Sequence, residues 1–374
     1  MVNKKSTGAH RNEPKGFNPV YTITPELASL FMELEKLRQE IDHLPCTPRL
    51  LAGLRESARL ASVHYSTQIE GNRLSQAEVT DVIKYKKSIP GKQRDAKEAE
   101  HYFAALTKAE HFAERREPFT DTDIQILHAL VMGTNRHKKT PYRDGQNVIR
   151  DGRTGAIVYL PPQASDVQKL MDELLMWITA TENQKFPCPL RAALAHYQFV
   201  TIHPFYDGNG RVARLIATLI LHRCGYGLKG IYSLEAYYAH DRGTYYEAMS
   251  VGPSHNYYEG RETADLTNWI TYFCQGMRDS FEAVKRQASQ QQGLPDLSKQ
   301  LQLLTPQQRL VLGLFKNGPE ITTNQVAALL QIHPRTASTW CKQWCEQKFL
   351  VVAHASKKRR SFSLAPQFVP LLAA

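Results

Sequence analysis

Apolar residues recur every three or four positions along most of residues 25–286, the spacing that places them on one face of an α-helix. From Pro25 to about Glu117 the chain predicts one helix after another, because Leu, Ala, Glu and Lys are abundant and glycine is rare. The same periodicity returns from Asp166 to about Arg286. The pattern therefore predicts a mainly α protein whose core is formed by packed helices.

One segment of this first part interrupts the helical pattern. Gln146–Arg150 and Ala156–Leu160 are β-like runs, which a glycine-containing turn joins and which Pro161-Pro162 terminates. The segment predicts one β-hairpin in an otherwise helical protein.

A second, smaller domain is predicted after a linker at 287–300, where Ser, Gln, Gly and Pro accumulate. Helices are expected to start at Thr305, Thr322 and Pro334, the first two with Gln three residues later in a capping box. Two β-like runs then flank a basic tip at 357–360. This order predicts a winged helix-turn-helix at 301–374. The open face of its third helix is expected to carry Arg335, Thr336, Ser338, Thr339, Lys342 and Gln343.

Charge points to the same small domain. The 374 residues include 47 Lys and Arg against 36 Asp and Glu, a net charge of +11, which favours a polyanionic partner. Residues 301–374 contain nine of these cations and two acids, so they carry +7 of the surplus. DNA or an acidic protein partner is therefore expected at this domain, and the charge does not choose between them.

Membrane and disulfide chemistry are not expected. The most apolar run, Leu215–Leu221, is seven residues long, whereas a membrane span needs about 20. The first sixteen residues are polar and contain no apolar core of a secretory signal. The six cysteines are scattered, which favours a reducing, cytoplasmic compartment over a disulfide scaffold. These cysteines are Cys46, Cys188, Cys224, Cys274, Cys341 and Cys345.

The densest chemical signal is a twelve-residue string between two predicted helices. A helix from Leu190 to Ile202 stops before Pro204, a glycine-rich loop follows, and a new helix starts near Asn209. The free N–H groups and the positive dipole end of this new helix would point into the loop. The string reads His203-Pro204-Phe205-Tyr206-Asp207-Gly208-Asn209-Gly210-Arg211-Val212-Ala213-Arg214.

These residue types suit the chemistry of a polyphosphate. Gly208 and Gly210 allow a phosphate to approach the backbone closely, and Arg211 and Arg214, three residues apart, project near the same place. Asp207 is a ligand for Mg²⁺ bridging phosphate oxygens, and His203 can accept a proton at neutral pH. The string therefore predicts phosphoryl or nucleotidyl transfer, with a hydroxyl nucleophile supplied by another molecule.

The string resembles the signature of the Fic family, His-x-Phe-x-(Asp or Glu)-Gly-Asn-Gly-Arg-x-x-Arg, with every fixed position matched. The resemblance extends from about Pro25 to Arg286. It implies a Fic-type helical bundle with a β-hairpin flap at 142–162, and transfer of AMP from ATP to a Ser, Thr or Tyr hydroxyl of a protein target. The flap would hold the target by strand addition.

The same resemblance assigns roles to individual residues. His203 would be the base and Asp207 the Mg²⁺ ligand, and Phe205 would anchor the loop in the core. The pair Tyr245-Tyr246 resembles the segment that closes over the adenine. The residues expected to bind ATP are Gly208, Asn209, Gly210, Arg211, Arg214 and Tyr245.

A second motif lies at the end of a helix that starts near Pro48. Ser66 and Glu70 share one helix face, and Gly71 is a stop signal for the helix. The segment resembles the inhibitory motif (Ser or Thr)-x-x-x-Glu-(Gly or Asn) of one Fic class, in which Glu70 would pair with Arg214 and block the γ-phosphate position. The same glutamate could instead position a water for removal of AMP.

The predicted layout has five parts: a flexible N-terminus at 1–24, an N-terminal helical region with the inhibitory helix at 25–118, a Fic catalytic core at 119–286, the linker at 287–300 and the winged helix-turn-helix at 301–374. A homodimer is expected by analogy alone.

Other functions remain open at this point. The chain could be a DNA-binding regulator with a Fic-like sensor body, or could transfer UMP or phosphocholine. His240-Asp241 suggests a phosphohydrolase, but that chemistry needs additional metal-binding His and Asp residues, and the dipeptide lies in the stretch leading to Tyr245. No Gly-x-x-x-x-Gly-Lys occurs, which excludes P-loop enzymes.

Overall fold

Two hydrophobic cores organise the part of the chain that the computed structural model describes. That part comprises residues 16–44, 48–134, 139–150, 154–182, 184, 186–292, 303–354 and 360–372. The cores belong to two compact units, Met1–Ser289 and Gln290–Ala374.

The first unit is predominantly helical, which confirms the predicted fold class. Its helices begin where the local chemistry favours a start. Thr24 is the N-cap of the helix Pro25–Asp42, for example, and Ser75 forms a capping box with Glu78 at the start of the helix Gln76–Tyr85. Among the described residues, no helix combines the length and apolar content that a membrane crossing requires. The helices are α1 (Pro25–Asp42), α2 (Pro48–Ile69), α3 (Gln76–Tyr85), α4 (Gln93–Glu114), α5 (Asp121–Val131), α6 (Ala164–Glu182), α7 (Cys188–Ile202), α8 (Asn209–Arg223), α9 (Glu235–His240), α10 (Arg242–Met249) and α11 (Thr267–Gln292).

Helices α7 and α8 form a hairpin at the centre of the first unit. Nearly every residue of α7 is buried, as expected of a helix that is apolar on all sides, and α8 packs against α7, α4 and α5. The loop at 203–208 joins the two helices, so the whole twelve-residue string lies at one end of this hairpin. The loop therefore leads into a helix that packs against α4, α5 and α7.

The opposite end of the hairpin carries a disulfide that the sequence pattern does not predict. Cys188 at the start of α7 is bonded to Cys224, the residue that follows α8. The two are 36 positions apart in the chain, and only the pairing of the helices brings their Cα atoms within 6.2 Å. Of the other cysteines in the described residues, Cys274, Cys341 and Cys345 are free, and Cys46 lies outside those residues.

The N-terminal segment differs from the expectation of a flexible stretch at 1–24. Residues 1–15 lie outside the described part, but residues 16–24 pack against the helical body. The ring of Phe17 meets that of Trp177 at 5.2 Å, and the backbone of Val20 pairs with Asp265 ahead of α11. Two apolar anchors, Phe17 and Tyr21, in a polar context explain why this stretch is ordered.

The predicted hairpin is present, with shorter strands. Strand β1 (Ile149–Arg150) pairs antiparallel with β2 (Ile157–Tyr159), and residues 151–153 of the turn lie outside the described part. Asn147 shortens the first strand because its side chain accepts the Val148 N–H, which competes with strand pairing. The base of the hairpin is fixed by a bridge between Leu160 and Asn256.

Within its described residues, the second unit contains three α-helices and a three-stranded antiparallel sheet. Both predicted capping boxes, Thr305 with Gln308 and Thr322 with Gln325, are confirmed. Strand order is β3-β5-β4, so the last two strands form the hairpin expected around the basic tip, of which residues 357–359 lie outside the described part. The elements are α12 (Pro306–Leu312), β3 (Glu320–Thr322), α13 (Thr323–Leu330), α14 (Pro334–Glu346), β4 (Leu350–His354) and β5 (Ser361–Leu364).

Helix α11 continues to Gln292, six residues past the predicted end of the helical region at Arg286. Ala288 explains part of the extension, because it is fully buried and so ties this turn to the core. Residues 293–302 of the predicted linker lie outside the described part.

Candidate active site

His203 lies where α7 ends, in a backbone conformation that orients its side chain. Its φ of 52° is left-handed, and its N–H still donates to the Phe199 carbonyl at 3.0 Å. The Nδ1 atom lies 3.3 Å from the Val200 carbonyl, which favours the proton on Nδ1 and leaves Nε2 as an acceptor. Burial lowers the pKa of His203 to about 4, so the ring is neutral at pH 7 and able to take a proton.

The loop after His203 is locked by two residues of its own string. Phe205 is buried and stacks on the His128 ring of α5 at 3.7 Å. Asn209, buried as well, accepts the Phe205 N–H at 3.0 Å and donates to the Phe205 carbonyl at 2.8 Å. The sequence predicts that Asn209 binds ATP; in the structure its side chain forms the hydrogen bonds that shape the loop.

The N-terminus of α8 forms the expected anion cradle. Gly208 is the N-cap, with a φ of 77° and no side-chain cap; Asp207 Oδ1 accepts its own N–H, and the N–H groups that follow in the first turn face the cradle. A Cβ at Gly208 would meet Met132 Sδ at 3.0 Å. A Cβ at Gly210 would lie 2.6 Å from Glu70 Oε1, so the Glu70 carboxylate packs directly against the first turn of α8.

Arg214 is held by the two residues of the second motif. Its Nε donates to Ser66 Oγ at 2.8 Å, and its Nη2 donates to the Ser66 carbonyl at 2.9 Å and to Glu70 Oε1 at 2.8 Å. Burial is the largest single influence and lowers the pKa of Arg214, but the Glu70 carboxylate together with Tyr245 and Tyr102 outweighs it, so the pKa is raised. Helix α2 ends at Ile69 because Gly71, with a φ of 97°, turns the chain away. The structure thus brings Ser66, Glu70 and Arg214 together.

Arg211 and Asp207 lie on the other side of the cradle. Arg211 Nη1 contacts Glu98 of α4 at 2.6 Å, and Nη2 contacts Asp207 Oδ1 at 3.4 Å. The Asp207 side chain is 68% exposed, while its Oδ1 also accepts the Gly208 N–H at 2.6 Å. In the described residues, no group of three or more His, Cys, Asp or Glu side chains could hold a metal. A lone exposed carboxylate fits Mg²⁺, which shares its coordination with phosphate and water.

The tyrosine pair differs from the expectation at one position. Tyr245, expected at ATP, is 1% exposed, stacks on Tyr238 and lies 3.2 Å from His196 Nε2 through its hydroxyl. Tyr245 is hydrogen-bonded to Arg214 and has almost no exposed surface that a ligand could contact. Tyr246, 47% exposed, is the member of the pair whose ring can meet a nucleotide base.

Two residues of the site escape sequence reasoning. Buried Arg143 donates from Nε to the His203 carbonyl at 2.9 Å and from Nη2 to the Pro162 carbonyl at 2.5 Å. Arg143 therefore links the end of the hairpin to His203, the candidate general base. His128 Nε2 lies 2.9 Å from the Asp207 carbonyl, and burial lowers the pKa of His128 to about 4. Arg143 lies 60 residues from His203 in the chain and His128 lies 79 from Asp207, so no local motif marks these contacts.

The comparisons with known proteins agree with this geometry. The model of the Fic/DOC family matches residues 118–221. Protein adenylyltransferase Fic from Aedes aegypti is 29% identical over 198 residues, 52% of this chain and 38% of that protein. The protein of the same name from Culex quinquefasciatus is 32% identical over 198 residues, 51% of this chain and 38% of that one. The matched stretch is thus well under half of each of these relatives.

A solved structure matches over a greater length. The crystal structure of a Fic family protein from Desulfovibrio desulfuricans G20 has a TM-score of 0.64 and 24% identity, and the match covers 94% of this chain and 99% of that one. At this identity the likeness establishes a common fold. Residues 118–221 thus match the Fic/DOC family model, and the chain shares its fold with that Fic family protein.

Proposed function

We propose that this protein transfers AMP from ATP to a Ser, Thr or Tyr hydroxyl of a protein target, and that Glu70 inhibits the reaction. One observation supports both parts. The Glu70 carboxylate packs against Gly210 and pairs with Arg214, so an anion already occupies the cradle at the start of α8. The names of the Aedes and Culex relatives support the choice of AMP.

The arrangement around His203 suits this transfer. The His203 Nε2 atom takes the proton of the target hydroxyl as its oxygen attacks the α-phosphorus of ATP. The bond from the α-phosphorus to the oxygen bridging to the β-phosphate breaks, and pyrophosphate leaves with that bonding pair. The backbone amide at Gly210, together with Arg214, holds the phosphates. Asp207 would hold Mg²⁺, which when bound neutralises phosphate charge.

Inhibition follows from the charge that Glu70 places in the cradle. A γ-phosphate and the Glu70 carboxylate would compete for the same partner, Arg214, and two anions in that space repel each other. Because Arg214 is almost completely buried, the repulsion is weakly screened by solvent. Release therefore requires the turn at Glu70–Gly71 to move away from α8.

The target segment is proposed to bind along the hairpin β1–β2. Ile157 and Val158 of β2 are exposed, although β-branched apolar side chains in a small sheet are normally covered by other parts of the protein. An extended peptide pairing with this edge would bring its hydroxyl side chain toward His203, whose carbonyl is joined to the hairpin base through Arg143.

The experiment is an intact-mass measurement after incubation with ATP and Mg²⁺. The Glu70→Gly chain should gain the mass of one AMP group or more by automodification, the wild type far less, and Glu70→Gly/His203→Ala none. A parallel incubation with UTP in place of ATP shows whether the chain transfers UMP instead of AMP. Equal modification of wild type and Glu70→Gly would contradict inhibition, and no modification of either would contradict AMP transfer.

Removal of AMP is the alternative use of the same glutamate. In that case wild type, but not Glu70→Gly, should strip AMP from protein previously modified by Glu70→Gly. The loss of mass over time measures this directly.

A second function, DNA binding, is proposed for the second unit. On α14, the side chains of Arg335, Thr336, Thr339, Lys342 and Gln343 are all exposed. Within the described residues, neither Arg335 nor Lys342 has a carboxylate partner, so both charges are free for phosphates.

The test uses the full chain and random-sequence DNA. Arg335→Ala/Lys342→Ala should weaken binding and lower the slope of log K against log salt by about 2, since each lost phosphate contact removes roughly 0.9. Arg116→Ala, which removes an exposed charge from the first unit, is the control and should leave that slope unchanged. Binding that does not respond to salt would contradict the proposal.

A further inference from the structure

The Glu98 carboxylate on α4 contacts two parts of the site at once. Its Oε1 lies 2.6 Å from Arg211 Nη1, and its Oε2 accepts the Asn72 Nδ2–H at 2.9 Å. Asn72 follows directly after the turn that carries Glu70. One side chain therefore joins the turn of the second motif to an arginine of the first.

The contact with Arg211 determines how that guanidinium is held. The Arg211 side chain is 7% exposed, and its Nε is buried with no hydrogen-bond partner among the described residues. Its charge is balanced by Glu98 at 2.6 Å and, less closely, by Asp207 at 3.4 Å. Without Glu98, the buried charge would be drawn to Asp207, and that carboxylate would be less available to a cation.

The contact with Asn72 fixes the turn. The Asn72 Nδ2 group also donates to the Asp95 carbonyl at 2.9 Å, and Oδ1 accepts the Leu74 N–H at 3.0 Å. The Asn72 N–H donates to the Thr67 carbonyl at 3.1 Å, which closes the end of α2. The buried Asn72 amide thus fastens the Glu70 turn to α4, and Glu98 accepts one of its bonds.

We propose that Glu98 is a positioning residue that couples the inhibitory turn to Arg211. While Glu98 holds Asn72, the turn keeps the Glu70 carboxylate against α8; while it holds Arg211, that arginine stays off Asp207. This coupling rests on the proposed function, because it concerns access of MgATP to the same cradle. Helix α4, which lies outside both motifs, thereby influences the equilibrium between the site that Glu70 closes and the site that is open to MgATP.

The first test cuts only the link to the turn. Asn72→Ala in the chain with Glu70 should raise MgATP affinity, measured by isothermal titration calorimetry, by about tenfold, because the side-chain hydrogen bonds that fasten the turn, to Glu98, to the Asp95 carbonyl and from the Leu74 N–H, are lost together. In the Glu70→Gly background the same change should have almost no effect, because the turn no longer carries the carboxylate. Arg73→Ala is the matched control, since Arg73 is 70% exposed and pairs with Asp95 at 3.0 Å without touching Glu98.

The second test cuts the link to Arg211. Glu98→Gln in the Glu70→Gly background should weaken MgATP binding by about tenfold, because the charge that balances Arg211 is lost while the side-chain shape remains. In automodification assays the loss should appear in KM for ATP, with kcat changed less than about twofold. Thermal unfolding of each variant separates these effects from misfolding.

The outcomes separate the two proposals. The coupling is wrong if Asn72→Ala changes MgATP affinity no more than Arg73→Ala, or equally in both backgrounds. It is also wrong if Glu98→Gln leaves the affinity unchanged. Absence of AMP addition by Glu70→Gly would contradict the proposed reaction alone, because the affinity comparisons require only nucleotide binding.

Discussion

The Glu70 carboxylate lies 2.8 Å from the Arg214 guanidinium, and its Oε1 is 2.6 Å from where a side chain at Gly210 would begin. The pair spans 144 residues, and it joins the end of α2 to the first turns of α8. A carboxylate therefore occupies the place where the helix dipole and the free amides favour an anion.

The first prediction separates charge from volume in this contact. Glu70→Gln keeps the size of the side chain but removes the negative charge, so MgATP affinity should rise by about tenfold, or roughly 1.4 kcal/mol. Glu70→Gly should raise it further because it also removes the bulk. Calorimetric titration measures both. Affinity of Glu70→Gln equal to that of the wild type would show that volume alone obstructs the site.

The second prediction concerns pH. The pKa of His203 is about 4 in the folded chain, below its ordinary 6.5, so the base stays neutral down to pH 5. The rate of Glu70→Gly automodification should be flat from pH 8 to about pH 5 on this account and fall at lower pH, with a midpoint near the folded pKa. A rate that halves near pH 6.5 would contradict the burial of this ring.

The same shift affects stability. Between pH 6.5 and 4 the unfolded chain binds a proton at His203 that the folded chain excludes, so this contribution to the free energy of unfolding decreases as pH falls through that range. His203→Gln should show a weaker acid dependence in urea unfolding at pH 5 and 7. An identical dependence in both chains would mean that His203 is not buried as a neutral ring.

The third prediction tests His128. His128→Ala removes a ring that stacks on Phe205 at 3.7 Å, and should lower the free energy of unfolding by about 2–4 kcal/mol through the cavity it leaves. His128→Phe should recover most of that stability by restoring the stack. It should not recover the automodification rate, because the bond to the Asp207 carbonyl stays absent. Urea unfolding and intact mass measure the two effects, and equal rates in His128→Phe and the parent would contradict the second.

The fourth prediction concerns the disulfide. Reduction of denatured protein should add two titratable thiols per chain, from Cys188 and Cys224. Cys224→Ser should lower the free energy of unfolding under oxidising conditions by about 2–4 kcal/mol, because the crosslink restricts the unfolded chain. Cys274→Ser, at a free cysteine, should leave the number of thiols released by reduction unchanged. No gain of thiols on reduction would contradict the pairing.

Sequence reasoning succeeds where the determinants are contiguous. The helix stop before Pro204 and the start at Asn209 follow from local chemistry, and the structure confirms both. The capping boxes at Thr305 and Thr322 are recognised for the same reason. The resemblance to the Fic signature, too, depends on a single unbroken string.

It fails where the determinants are distant in the chain. The contact of Glu98 with Arg211 spans 113 residues, and nothing in the charge pattern of α4 distinguishes Glu98 from the other acidic residues of that helix. Tyr245 and Tyr246 are adjacent and chemically identical, and only the packing of α10 decides which one is buried. The Cys188–Cys224 pairing likewise depends on the geometry of the helical hairpin.

The lack of a side chain at Gly210 restricts how this protein can be activated by mutation. The space that a Cβ would fill is used by the Glu70 carboxylate, and under the proposed function it would receive a phosphate once that carboxylate leaves. Any substitution at this position would dislodge inhibitor and nucleotide together. Constitutively active alleles should therefore arise in the turn after α2 and its supports on α4, whereas changes within the glycine loop should only produce loss of function.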